Sequence, residues 1–169
     1  IDRTACRPSG CVAARMWAAT MPHAYLYRGT NYVTAMASVA GAVADEILSV
    51  MRDAADLDRI YVNNGGDIAL YLHPAAVPMP HYAVGICADP DAVLWSHVNP
   101  DALADNRVAR PVPDAFAGTI KITAADHIGG IATSGWKGRS HSLGVADLVT
   151  VLAPTAAAAD VAATWIANA

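Results

Sequence analysis

The sequence RIYVNNGGDIALYL, residues 59–72, is the stretch that decides the fold class. Residues 59–62 and 68–72 are rich in β-branched, aromatic and aliphatic side chains and have the length of short strands. Between them stands Asn63-Asn64-Gly65-Gly66-Asp67, in which the two glycines tolerate the positive φ of a tight turn. This stretch therefore predicts two strands joined by a turn.

Upstream of this hairpin, residues 34–53 give the best helix signal. Gly41 lies inside this segment and costs about 1 kcal/mol relative to alanine, so either another group approaches the backbone there or the regular helix starts near it. Asp45, Glu46 and Arg52 are expected to face away from the apolar side. The apolar residues that recur at three- and four-residue spacing are Met36, Val39, Ala40, Val43, Ile47 and Met51.

Downstream of the hairpin, further strands are predicted at 81–87, 119–123, 129–133 and 148–152. A long connection at 89–113, with a hairpin around 93–98, is expected between the first two of them. Pro154-Thr155 opens a last helix with Thr155 as its N-cap, and a first helix is predicted at 12–19, ahead of Pro22. The prediction is an α+β fold of mixed, largely antiparallel sheets packed with helices.

The composition limits the class of protein. With 169 residues the chain is expected to be one domain, 1–169. Hydrophobic residues make up 54% and charged residues 15% of the chain, but no run reaches the roughly 18 to 20 apolar residues of a membrane span. The net charge of −4 without a basic stripe argues against nucleic-acid binding. The apolar content favours a homo-oligomer, although much of it is alanine.

The cysteines bear on the cellular compartment, and the first residue bears on the extent of the domain. Cys6, Cys11 and Cys87 form no CxxC pair, so a reducing, cytoplasmic compartment is expected. The chain begins with Ile1, and no signal-peptide pattern follows. We therefore expect an N-terminal portion to be missing from the domain.

Two glycine-containing segments are candidate phosphate sites. In Asn63 to Asp67, backbone N–H groups could turn toward a pyrophosphate, and the alternative is a plain hairpin turn. The stretch 133–140 is not a P-loop, because Trp136 separates Gly135 from Lys137, and it lacks the GxSxG pattern of a hydrolase. It is either a hydroxyl-rich loop that binds phosphate and stacks on an aromatic ring, or a surface turn.

Two further patterns concern a metal and a base. Asp160 and Thr164 lie four residues apart, so their oxygens leave the same face of a helix, as Mg²⁺ ligands could. The alternative is an acid near the helix start with a space-filling threonine. His127 and His141 flank the glycine loop, near Asp126 and Asp147. Each histidine is either a general base or a structural side chain.

Taken together, these segments resemble the ApbE-like superfamily, whose best-known members are FAD:protein FMN transferases. They are more similar to its shorter uncharacterised branch, which is linked to sulfur assimilation into homocysteine. The chain departs from the transferases in having Ala40 in place of a lysine and a shorter stretch after the TSG loop. The segments that carry the resemblance are 39–45, 62–68, 131–136, 138–140, 142–147 and 159–164.

The resemblance implies an FAD-binding protein with Mg²⁺ as a second cofactor. Asp160, Thr164 and a backbone carbonyl near Val39 would be the metal ligands. Either the protein transfers FMN to a protein acceptor, with His141 or Asp147 as base, or it binds a flavin or other nucleotide without transfer and acts with a pathway partner in sulfur assimilation. A scaffold with a decayed site is a third reading. The residues implied to bind the cofactor are Asn64, Gly65, Gly66, Asp67, Thr133, Ser134, Gly135 and Arg139.

Overall fold

The computed structural model describes residues 7–24, 33–87, 116–138 and 142–169. The α-helices are α1 (Cys11–Ala24), α2 (Val39–Ala54) and α3 (Ala156–Ala167), and short 3-10 helices span Ala35–Ser38 and Ala124–Asp126. The strands are β1 (Arg59–Asn64), β2 (Asp67–Leu72), β3 (His81–Cys87), β4 (Phe116–Thr123), β5 (Gly130–Ser134) and β6 (Val149–Ala153).

The strands form two sheets. One has four strands in the order β1-β2-β5-β6 with antiparallel neighbours, and the other consists of β3 and β4. The predicted α+β class with antiparallel sheets is confirmed. Each strand predicted within the described residues is present, with ends within about three residues of the prediction. The predicted connection at 89–113 and its hairpin lie outside the described residues.

The chain divides into two compact units. The first comprises residues 1–81 and 123–169, and the second comprises residues 82–122. The four-stranded sheet and the three described α-helices belong to the first unit, whereas β3 and nearly all of β4 belong to the second. A single domain over 1–169 stays a prediction.

The helices α2 and α3 cover one face of the four-stranded sheet. Both helices pack on its strands and on each other. Because register partners share a face and alternate residues point the same way, the pairing assigns the following residues to the covered face: Ile60, Val62, Asn64, Asp67, Ala69, Tyr71, Gly130, Ala132, Ser134, Val149, Val151 and Ala153. Small residues dominate the helix side of this core, among them Ala44, Ala156, Ala159 and Ala163.

The predicted buried face of α2 is wrong. Ile47 and Met51 are exposed, and the side that faces the core carries Gly41, Ala44, Asp45 and Leu48. A Cβ at position 41 would overlap the backbone carbonyl of Ala156, so α2 and α3 approach each other closely there. Small side chains are required at such a contact, and the larger apolar side chains are left on the outer side.

The helix ends show one confirmation and one difference. Thr155 is the N-cap of α3, and its hydroxyl accepts a hydrogen bond from the Ala158 N–H at 3.2 Å, as predicted. The first helix continues beyond the predicted 12–19 and includes Pro22 in its last turn.

Among the helices that the structure describes, none combines the length and the apolar character needed to cross a membrane.

Candidate functional site

The β1–β2 hairpin brings Asn64 and Asp67 side by side. They are register partners on either side of Gly65 and Gly66, whose φ values are 71° and 116°. The Gly66 N–H donates to Asn63 Oδ1 at 2.9 Å, so this amide is already bound within the turn. That bond favours the plain hairpin over a phosphate nest at Gly66, and it leaves Asn64 and Asp67 as the polar groups directed toward the helices.

The first turn of α2 meets both the hairpin and α3. The Gly41 N–H donates to Asp160 Oδ2 at 3.0 Å, and Asn64 Nδ2 donates to the carbonyl oxygen of Ala40 at 3.1 Å. Three segments that are distant in sequence therefore meet at one point: the end of the hairpin, the start of α2 and the second turn of α3.

Two acidic side chains face each other at this point. Burial, together with the negative charge of Asp160, raises the pKa of Asp67 to about 7. Burial also raises the pKa of Asp160 to about 6, although the N–H groups of Gly41 and Ala40 oppose the shift. Within the described part of the chain, neither carboxylate forms an ion pair with a cationic side chain. Uncompensated acids of this kind are typical of sites that hold a cation.

The oxygen donors here suit a hard divalent cation. No group of three histidine, cysteine or acidic side chains suitable for a metal occurs in the described residues. Mg²⁺ needs only one or two carboxylates, because it retains several water ligands. Asp67 and Asp160 supply the carboxylates, and the side-chain oxygen of Asn64 and the Ala40 carbonyl are further oxygen donors. The residues present therefore fit Mg²⁺.

The other predicted metal ligands lie close by in the fold. Val39 is the first residue of α2, next to Ala40. Thr164 lies one turn after Asp160 on α3 and is half-buried. Its backbone carbonyl accepts from Asn168 Nδ2 at 2.7 Å, and its hydroxyl has no hydrogen bond to any described residue.

The predicted TSG residues divide between the two faces of the sheet. Ser134 is buried on the helix-covered face, with its Oγ 3.0 Å from Ser142 Oγ. Thr133 points to the opposite face, where its hydroxyl lies 2.9 Å from that of Thr150. Because β2 and β5 are antiparallel, Ser134 and the buried Gly135 lie toward the end of the sheet at which the hairpin turns. The structure therefore brings Ser134 and Gly135, but not the Thr133 side chain, to the hairpin side of the helix-covered face.

The predicted base Asp147 is held by two donors. Its carboxylate accepts from Trp136 Nε1 at 2.6 Å and from Lys137 Nζ at 3.1 Å. The hydrogen bond from Lys137, followed by the one from Trp136, lowers the pKa of Asp147. A carboxylate with a lowered pKa is a weaker proton acceptor. The other predicted base, His141, and the predicted cofactor ligand Arg139 lie outside the described residues.

Sequence reasoning missed two features of this region. Asp67 was assigned to the cofactor alone, but its neighbour is the carboxylate of Asp160. Asp45 is buried, and its two oxygens accept from the N–H groups of Ala156 at 3.0 Å and Ala157 at 2.9 Å. The four-residue spacing of Gly41 and Asp45 could have revealed the second feature, because it puts both on one face of α2.

The fold and this site define an α+β protein with a paired-carboxylate candidate cation site. A family model described as AbpE bacteria matches residues 2–169, and the chain belongs to this family. No curated protein and no solved structure matches the chain.

The resemblance to the ApbE-like superfamily is wrong, because the matching model defines a different family. Residues that carried the resemblance have structural roles that explain their presence. Gly41 permits the close contact with α3, and Asp45 caps that helix. Such roles can place the same residues in unrelated families.

Proposed function

We propose that the protein binds Mg²⁺ at Asp67 and Asp160 and, through the cation, the pyrophosphate of a dinucleotide, FAD. The observation that carries the proposal is the pair of half-buried carboxylates without a cationic partner among the described residues. A bound divalent cation would compensate both charges and leave coordination positions for phosphate oxygens and water.

Backbone groups would pre-organise the ligands. The Gly41 N–H donates to Asp160 Oδ2 and holds the carboxylate in place for a cation. The Ala40 carbonyl fixes the amide nitrogen of Asn64, so the amide oxygen is the atom available for coordination. When bound, the cation would neutralise charge on the pyrophosphate.

Support for an aromatic cofactor comes from the loop after β5. Trp136 is 49% exposed, and Lys137 Nζ lies 5.4 Å from the centre of its ring. An exposed indole can stack on a flavin or an adenine, and the neighbouring lysine can contact a phosphate. This loop leaves the end of the sheet at which Asn64 and Asp67 also lie.

Within this proposal, binding without transfer is favoured over FMN transfer to a protein acceptor. Transfer needs a base for the acceptor hydroxyl, and Asp147 is bound by Trp136 and Lys137 with a lowered pKa. Of the two predicted bases, Asp147 is therefore unsuited to transfer, and we favour a flavin-binding protein without transfer activity. A cytoplasmic location, supported by the free and exposed Cys11, and a homo-oligomeric state are further parts of the proposal.

Calorimetry with Mg²⁺, followed by FAD titration with and without Mg²⁺, tests the proposal. We expect Asp160→Asn and Asp67→Asn each to weaken Mg²⁺ binding by about tenfold or more, because each removes one charged ligand. Asp58→Asn removes an exposed acid outside the site and should leave binding unchanged. Equal Mg²⁺ affinity in all four proteins would refute the cation site, and FAD affinity independent of Mg²⁺ would refute the bridging role.

A separate assay distinguishes flavin binding alone from FMN transfer to a protein acceptor. The protein is incubated with FAD, Mg²⁺ and candidate acceptor proteins, and released AMP and covalently bound FMN are measured. Binding of FAD without release of AMP is the expected result, and release of AMP together with a flavinylated acceptor would establish the transferase instead.

A further inference from the structure

A cavity lies beside residues 45–52 of α2, beyond the first turn of that helix. It has a volume of about 350 Å³ and is enclosed by α2, β2 and the segment 123–129, all in the first compact unit. On β2 its wall includes Tyr71, four residues from Asp67, which is about 13 Å along a strand. Asn64, Asp67 and Asp160 do not line it, so the cavity is separate from the paired carboxylates.

Several polar groups in the cavity wall are already bound. Arg15 pairs with Glu46 at 2.8 Å, and the Asp45 carboxylate is occupied by two N–H groups of α3. The Thr155 hydroxyl accepts from the Ala158 N–H. None of these groups needs a ligand.

Two groups on α2 differ from these. The guanidinium of Arg52 lies 4.0 Å from the centre of the Tyr71 ring, and within the described residues it forms no hydrogen bond or ion pair. Ser49 lies three residues earlier, on the same side of the helix, and its hydroxyl also has no partner in the described part of the chain. The cavity thus offers a planar cationic donor, held against an aromatic ring, and a neighbouring hydroxyl.

The charge of the wall favours a singly charged ligand. The charges of Arg15 and Glu46 cancel, and the helix amides compensate Asp45, so Arg52 contributes one unpaired positive charge. The apolar part of the wall, formed by Leu48 and Ile128, suits a hydrocarbon body. A carboxylate has one negative charge and matches the fork of a guanidinium in two parallel hydrogen bonds.

We infer that this cavity binds a small organic carboxylate, whose head group contacts Arg52 and Ser49 and whose body lies against Leu48 and Ile128. His127 stands at the rim in a left-handed conformation with φ of 55° and is exposed, so its imidazole is accessible to the same ligand. The inference does not depend on the cation site or on FAD.

Titration of the protein with 4-methylpentanoate, followed by backbone amide NMR shifts, tests the inference. We expect saturable shifts at Ser49, Arg52 and Ile128. The neutral amide of the same acid and inorganic phosphate should each bind about tenfold more weakly or worse, since one lacks the charge and the other lacks the hydrocarbon body.

Variants test the contribution of each group. Arg52→Gln should weaken binding by about tenfold or more, and Ser49→Ala by a smaller factor, about threefold. Arg59→Gln removes an exposed arginine that does not line the cavity and is the matched control. An unchanged thermal midpoint verifies that each variant is folded, and Ser49→Ala carries the test if Arg52→Gln unfolds. Absence of saturation, equal binding of the neutral amide or of phosphate, or unchanged affinity in these variants would overturn the inference.

Discussion

Asp67 and Asp160 work against the stability of the protein when both are ionised. Each is partly removed from water, and each charge disfavours the other. An energetic cost of this kind persists where function requires the groups, and it therefore supports a bound ligand at this site.

The first prediction concerns pH in the absence of divalent cations. The pKa of Asp67 is about 7 in the folded protein and 3.8 ordinarily, so the folded state binds the proton more tightly and stability falls as the pH rises between these values. Asp67→Asn removes this dependence. We expect the free energy of unfolding of the variant to exceed that of the wild type by about 1–2 kcal/mol at pH 8, a range lowered for solvent screening. Near pH 4 the two free energies should be equal.

Urea denaturation of both proteins in EDTA at a series of pH values measures this difference. A difference in unfolding free energy between variant and wild type that does not change with pH would contradict the assigned pKa shift.

At the scale of elements, the crossing of α2 and α3 organises the first compact unit. Asp45 on α2 binds the first two N–H groups of α3, and Gly41 lets the backbones meet. Both features lie close to Asp160, so the same contact that holds the helices together also holds one side of the candidate site.

The second prediction is that Asp45→Asn destabilises the protein by about 2–3 kcal/mol. An amide side chain has a single acceptor oxygen, so one buried N–H of α3 loses its partner and a charge-assisted bond is lost. Glu46→Gln, next in sequence, removes the partly exposed ion pair with Arg15 and should cost at most about 1 kcal/mol. Chemical denaturation compares the two, and equal costs would argue against the capping role.

The third prediction is that Gly41→Ala separates α2 from α3. The added methyl group would overlap the carbonyl of Ala156, at a cost of about 1–3 kcal/mol or more. At Gly118 a Cβ meets no atom of the described residues within 4 Å, so Gly118→Ala is the matched control. The thermal midpoints of the two variants measure their stabilities. A Gly41→Ala protein as stable as the control would show that the helices can shift apart freely.

The sequence predicted the elements better than their faces. Alternating apolar residues and glycine turns are local signals, so the β1–β2 hairpin and the Thr155 cap were predictable. The buried face of α2 was not, because the pattern of large apolar residues selected Ile47 and Met51, whereas close helix packing selects Gly41 and Ala44. That preference depends on α3, more than 100 residues further along the chain.

For the molecule as a whole, the candidate site depends on residues from three distant segments. Asp160 and the Asn64–Asp67 turn were both predicted to be functional, but their proximity depends on the order of strands and on the helix crossing. Local spacing does not encode such a contact, so the patterns alone did not pair Asp67 with Asp160, although the resemblance implied that both lie at one cofactor site. The family resemblance was wrong for a related reason, since motifs with structural duties are shared between families.

The fourth prediction concerns the stability of the whole protein in Mg²⁺. A cation that binds only the folded state stabilises it by about 2.7 kcal/mol at a concentration one hundred times its dissociation constant. This gain should be larger at pH 8 than at pH 5.5, because protonated carboxylates do not bind the cation. Thermal unfolding with Mg²⁺ or with the same ionic strength of NaCl measures it. Equal midpoints in the two salts would exclude specific binding.

The bond between Asp45 and the start of α3 joins residues separated by 111 positions. During synthesis, α2 leaves the ribosome with an acidic side chain on its inner surface and without the amides that satisfy it. Docking of α2 must then await α3, so the nascent protein carries an unfinished core until that helix has been synthesised. Deletion of α3 should consequently harm the yield of native protein far more than the small number of deleted residues suggests.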